Sequence, residues 1–136
     1  MKKIVLFSEA SAVETVGGYG TILLYSGKER LLSGKKSNTT ANRMELYSVM
    51  EGLRVLKEPC DIEIVTSSLY VTKSISVWLD RWIKRDFDKV KNLELWQEYM
   101  SLAQGHTIKA TFIQTTLGHS ENERCEQMAQ QVRSKI

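Results

Sequence analysis

Apolar positions along this chain repeat with two different periods, and the alternation between them sorts the sequence into strands and helices. Lys3 to Phe7 is a short apolar run of strand length. Tyr19-Gly20-Thr21-Ile22-Leu23-Leu24-Tyr25 is a second strand, rich in β-branched and aromatic residues. Ser26 to Glu29 is a turn signal, and Arg30 to Ser33 returns as a third strand. A loop from Lys35 to Ala41 then gives way to a helical period. Leu46, Val49, Met50, Leu53 and Leu56 fall three and four apart on one face, and Pro59 ends the segment. Glu45 is expected in the first turn, where the helix dipole favours a carboxylate.

The second half continues the alternation. Asp61 to Thr66 reads as a central strand, followed by Ser67-Ser68 and a helix from Leu69 to about Arg85. Asn92 is the expected N-cap of a helix running through Ala103, with Gly105 as its stop. Ile108 to Gln114 is the last strand, and Ser120 to Arg133 the last helix. Three strands, a helix, a strand, two helices, a strand and a helix make an α/β order with a mixed sheet. No repeat or linker divides the sequence, so one domain over 1–136 is expected.

Composition narrows the picture modestly. Hydrophobic residues at 42% and charged residues at 26% are those of an ordinary globular chain, with a single proline and no low-complexity run. No stretch reaches the roughly 20 apolar residues of a membrane span. The apolar run after Lys2 and Lys3 is too short for a secretory signal, so the expected location is cytoplasmic, with no membrane partner. Cys60 and Cys125 offer neither a disulfide framework nor a metal-binding spacing. A net charge of +3 permits a nucleic-acid partner without arguing for one.

Four segments carry more specific information: Gly17-Gly18-Tyr19-Gly20, Thr39-Thr40-Ala41-Asn42-Arg43-Met44-Glu45-Leu46, Val90-Lys91-Asn92-Leu93-Glu94-Leu95-Trp96, and Gly118-His119-Ser120-Glu121-Asn122-Glu123-Arg124-Cys125-Glu126. Together, in order and with compatible spacing, they resemble type 1 ribonuclease H over nearly the whole length. The resemblance implies a ribonuclease H-like α/β fold: a five-stranded mixed sheet, its first three strands antiparallel, flanked by helices. It also implies an activity, cleavage of the RNA strand of RNA–DNA hybrids by two magnesium ions held by three Asp and one Glu. Two divalent ions roughly 4 Å apart activate water and stabilise the leaving oxygen, and magnesium demands nearly ideal oxygen geometry.

Carried over, the four positions are Glu9, Glu45, Ser67 and Glu126. Glu45 matches the family's Glu, whereas Glu9 and Glu126 each replace an Asp and Ser67 replaces the third. The family's mobile catalytic His falls on Thr116, and His119 matches a neighbouring His without that role. A Glu in place of Asp moves the carboxylate by about 1.5 Å, and misplacement near 1 Å can cost on the order of 100-fold. Ser67 is the graver change, because a neutral hydroxyl replaces a charged ligand. Glu9, Glu45 and Glu126 are left to hold at most one ion weakly, so no cofactor is required and magnesium or manganese is expected to bind weakly or not at all. The stretch Ala12 to Val16, where the family has a glycine-rich loop near the RNA 2′-hydroxyls, holds Glu14 and no glycine. The expectation is a degenerate active site, a pseudoenzyme that keeps a grip on nucleic acid.

The family holds the DNA strand with a basic, aromatic-containing helical region. Its counterpart here contains Trp78, Arg81, Trp82, Lys84, Arg85, Lys89, Lys91 and Trp96. Between Arg81 and Lys91 five basic residues stand against two acidic ones, and such a surface suits a phosphate backbone with stacked contacts. Thr40, Asn42 and Ser68 match family positions that touch the backbone. Plainer readings stay open. Trp78 and Trp82, four apart on one helical face, and Trp96 suit a core equally, the cationic run suits a solvated face, Glu9 and Glu45 suit an ordinary strand end and helix start, and Glu126 suits a polar helix where Glu is common. Three functions compete: a binder of RNA–DNA hybrid or duplex without cleavage, a weak or manganese-dependent hybrid endoribonuclease, and a protein-interaction or homodimerisation module.

Overall fold

A computed structural model describes residues 1–135; Ile136, the last residue of the expected domain, lies outside the described residues. Five strands form one sheet in the order β3-β2-β1-β4-β5. They are β1 (Lys2–Val13), β2 (Val16–Tyr25), β3 (Lys28–Lys36), β4 (Cys60–Thr66) and β5 (Thr107–Phe112). The first three are antiparallel, whereas β4 runs parallel to both β1 and β5. This is the ribonuclease H-like α/β sheet expected from the sequence.

The first three strands outrun their apolar cores, whereas β5 stops at Phe112, short of the expected Gln114. β1 continues past Phe7 through Ser8, Glu9 and Ala10 because its backbone stays paired with β2 up to the Val13–Val16 pair. A ladder needs backbone donors and acceptors, not apolar side chains. The segment Ala12 to Val16, expected as a loop, is therefore mostly strand, closed by a tight turn in which Glu14 has φ +56°. Glu14 stands exposed there.

Helix α1 (Ala41–Arg54) starts where Thr40 accepts the Arg43 N–H at 3.2 Å. It buries Met44, Leu46, Val49, Met50 and Leu53 against the sheet. Glu45 is its fifth residue, so the expected first-turn dipole contact does not apply. After β4 the expected long helix is three pieces: α2 (Leu69–Lys73), a π-helical turn (Ser74–Trp78) and α3 (Leu79–Lys84). A turn joins these to α4 (Leu93–Ala103), and α5 (Ser120–Ser134) closes the described fold. Trp96 of α4 is fully buried and donates its indole N–H to the Tyr70 hydroxyl at 2.7 Å, which settles it as core.

Asn92 does precede α4, but not as a side-chain cap. Its backbone is left-handed (φ +58°), a region Asn tolerates better than most residues. Its amide reaches across to the Tyr70 hydroxyl at 3.1 Å and accepts from Arg43 at 3.2 Å. His106 is likewise structural, its Nδ1 accepting the Cys60 backbone N–H at 3.0 Å. Both cysteines are free and buried, and burial pushes the Cys125 thiol up to about 12, away from nucleophilic chemistry. No helix among the described residues is long and apolar enough to cross a membrane.

Two glycines set where α5 lies. A methyl group at Gly18 would come within 2.2 Å of the Ala129 carbonyl, and one at Gly20 within 2.2 Å of the Cys125 carbonyl. The helix backbone thus rests directly on β2. Because Gly20 pairs with Glu9 across the ladder, this close approach brings the turn holding Asn122 and Glu126 over Glu9.

Candidate functional site

The parallel ladder between β1 and β4 ends with Ser8, midway along β1, opposite Thr66, the last residue of β4. Glu9 follows on one strand and Ser67 on the other. Glu9 is 6% exposed and its carboxylate is crowded with donors. The Ser67 backbone N–H reaches Oε2 at 3.0 Å, the Ser67 hydroxyl reaches Oε1 at 2.5 Å, and the Asn122 amide reaches Oε2 at 2.8 Å. Burial pushes the Glu9 carboxyl above its ordinary value and the charge of Glu126 adds to the rise, while these three donors pull it back down.

Two further carboxylates show the same motif. Glu45 accepts from the Ser68 hydroxyl at 2.5 Å; burial raises its pKa and this hydrogen bond opposes the rise. Glu126 accepts from the Thr116 hydroxyl at 2.6 Å. Thr116, expected at the position of the family's His, is therefore tied to α5. His119 is exposed, with its backbone N–H on the Thr116 carbonyl at 2.9 Å. Each of Glu9, Glu45 and Glu126 is met by a neighbouring hydroxyl rather than by another carboxylate.

That donor set does not fit a pair of magnesium ions. Ser67 is a neutral hydroxyl where a charged oxygen ligand would be needed, and its proton is directed at the carboxylate of Glu9. Among the described residues no three of His, Cys, Asp and Glu are grouped so as to hold an ion. Glu9, Glu45 and Glu126 do stand at one end of the fold, but not as a metal cluster.

Asn122 is a site residue that sequence reasoning does not single out. It is fully buried, and its amide also donates to the Val65 carbonyl at 3.0 Å, joining α5 to the end of β4. The available signal was its place one turn before Glu126, next to the buried Cys125 face, where an unpaired Asn would be costly.

Beside this rim, Thr40, Ala41, Asn42, Lys91 and Asn92 line one open cavity. Thr40 and Asn42 are exposed. Ser68 does not join them: it is 5% exposed, and its hydroxyl both caps α2 by accepting the Val71 N–H and donates to Glu45. As a direct surface contact, Ser68 is corrected to a buried tie. Lys84, Arg85, Lys89 and Lys91 are all exposed and form no ion pair among the described residues. Trp78 is 36% exposed, its ring 6.3 Å from Trp82, which packs in turn 5.5 Å from buried Trp96. Trp82 therefore belongs partly to the core, and Trp78 is the outer ring of the stack.

This sheet order, with α1 packed on one face and α5 on glycines of the other, defines a ribonuclease H-like protein. The sequence profile of RNase H matches residues 1–134, so the chain belongs to the RNase H family. It is 47% identical over 137 residues to a protein named Ribonuclease H from Sulfurovum sp. (strain NBC37-1), covering 99% of this chain and 93% of that one. Solved structures agree on the fold. LC9-RNase H1, described as a type 1 RNase H with the type 2 active-site motif, superposes with a TM-score of 0.89 at 24% identity, over 97% of this chain and 72% of that one. LC11-RNase H1, solved in complex with RNA/DNA hybrid, superposes with a TM-score of 0.69 at 14% identity, over 96% of both chains.

Proposed function

We propose that this RNase H family member binds nucleic acid, as RNA–DNA hybrid or duplex, and has lost two-metal cleavage of the RNA strand. The observation that carries this reading is the bond from the Ser67 hydroxyl to Glu9. Where the family places a charged metal ligand, this chain places a proton donor facing its neighbouring carboxylate. The surface keeps what binding needs. Thr40, Asn42 and Lys91 line one open cavity and bring a hydroxyl, an amide and an ammonium group to it, groups suited to a backbone phosphate. Lys84, Arg85 and Lys89 offer exposed cations, and Trp78 and Trp82 a partly exposed aromatic pair.

A second reading has one observation in its favour, the name Ribonuclease H carried by a relative 47% identical over nearly its whole length. In that reading Glu9, Glu45 and Glu126 support weak or manganese-dependent hydrolysis of hybrid. Incubation of a labelled RNA–DNA hybrid in magnesium and in manganese, with a gel-shift lane on the same substrate, separates the two. Shifted and uncut hybrid is the expected result. RNA-strand cutting that is lost on Glu45→Gln substitution refutes the loss of cleavage and establishes the second reading.

A further inference from the structure

A buried carboxylate needs either a counter-ion or a full set of hydrogen-bond donors. In a metal site the ion fills that need, and removing it leaves carboxylates facing one another. Glu9 has the other solution. Its two oxygens receive the Ser67 N–H, the Ser67 hydroxyl and the Asn122 amide, which come from the end of β4 and from α5. Asn122 also donates to the Val65 carbonyl. Three separate elements, β1, β4 and α5, are thereby cross-linked at the rim of the sheet, where a divalent ion would otherwise draw them together.

The chemistry of Ser67 makes this arrangement specific. An ionised Asp can only accept hydrogen bonds. Placed 2.5 Å from Glu9 Oε1 it would set two acceptors against each other, with Glu126 close enough to act electrostatically on Glu9. Serine is small enough to fit and supplies the proton that the pair lacks.

We propose that in this chain Ser67 and Asn122 take the structural place of a divalent cation at Glu9, so that the rim keeps its shape, and grips a phosphate backbone, without any divalent ion. The part concerning the phosphate backbone rests on the nucleic-acid reading above; the part concerning the rim stands on the hydrogen bonds alone.

The test compares the native 136-residue chain with Ser67→Asp and Ser67→Ala in EDTA, magnesium and manganese at matched ionic strength. Thermal melting, calorimetric titration with manganese alone, and fluorescence anisotropy with a labelled RNA–DNA hybrid are read for each. The native chain is expected to melt at the same temperature in all three media, to take up no manganese, and to bind hybrid equally with and without divalent ions. Ser67→Asp is expected to melt about 5–10 °C lower in EDTA and to recover in manganese. Ser67→Ala, which loses one donor without adding a charge, is expected to melt about 5 °C lower in every medium. It keeps the test decisive if Ser67→Asp fails to fold. Stoichiometric manganese uptake by the native chain, a native melting temperature that climbs with divalent ions, or native-like melting of Ser67→Ala would overturn the proposal. Hybrid binding that requires a divalent ion overturns its second half. Metal-independent melting with no hybrid binding in any medium supports the lock while refuting the nucleic-acid reading.

Discussion

Replacing Ser68 with alanine removes one hydroxyl that performs two tasks. Ser68 is the N-cap of α2, accepting the Val71 N–H at 3.0 Å, and it donates to Glu45 Oε2 at 2.5 Å. Loss of a Ser N-cap costs about 1 kcal/mol. Loss of a hydrogen bond to a charged group costs about 1.5–3 kcal/mol, and Ser68 is too buried for water to replace it freely. Because one group supplies both interactions the terms overlap, and the expected loss is about 2–4 kcal/mol. In a chain of this length that lowers the melting temperature by about 10 °C. Urea unfolding followed by circular dichroism measures it as a fall in midpoint with unchanged slope. Ser68→Thr retains a hydroxyl able to cap and donate, and should recover most of the stability. A Ser68→Ala loss under about 0.5 kcal/mol, or equal losses for Ala and Thr, would refute the dual role. Weakened nucleic-acid binding with unchanged stability would return Ser68 to the surface contact that its exposure rules out.

Three other perturbations test separate parts of the structure. Joint replacement of Lys84, Arg85 and Lys89 by alanine should weaken nucleic-acid binding and flatten its salt dependence by about 0.9 in logarithmic slope for each phosphate left without its cation; unchanged binding in titrations over salt would remove this face from the interface. Glu9 and Glu45 both have carboxyl groups raised above the ordinary 4.5 by burial, so the folded chain holds more protons than the unfolded one just above that pH. Stability should therefore fall as pH rises through that window, and Glu9→Gln should flatten the fall, as read from unfolding free energies across pH. Gly20→Ala would place a methyl group 2.2 Å from the Cys125 carbonyl, a helix backbone atom that cannot swing aside. A loss of about 3 kcal/mol is expected, and a native-like melting temperature would refute the close helix approach.

The fold was legible because its signals are periodic. The apolar face of α1 from Leu46 to Leu53, the strand β4 and the collinear motifs each constrain the same sheet, and every expected strand and helix lies where a periodic run stands. What the periodicity missed were its boundaries and one interruption. The polar half of β1 is held by backbone pairing with β2, which leaves no trace in hydrophobicity. The π-helical turn at Ser74–Trp78 shifts register by one residue inside a helical pattern that reads as continuous. Asn92 has the composition of a cap, but Tyr70 and Arg43 bind its side chain more effectively than the adjacent helix end does.

The site was legible in its positions and not in its bonding. The resemblance to type 1 ribonuclease H implies that Ser67 stands where the family has a carboxylate, a statement about what is absent. It does not say what the new hydroxyl does, because serine can donate, accept or ligate, and the choice depends on which atom lies within about 3 Å. The structure answers with Glu9. Glu9 is one methylene longer than the Asp that the resemblance implies there, and its carboxylate meets Ser67 and Asn122 together. On this argument residues 9 and 67 are coupled: a long acceptor on β1 matches a short donor after β4. Their substitutions should therefore be non-additive. Glu9→Asp in the native background shortens the acceptor away from its donors and destabilises, whereas combined with Ser67→Asp it relieves part of the repulsion between the two carboxylates. A double-mutant cycle on thermal stability in EDTA should show a coupling energy on the order of 1–2 kcal/mol, as for contacting residues in one network. Strict additivity would mean that residues 9 and 67 act independently, and that the hydrogen bond between them carries no structural weight.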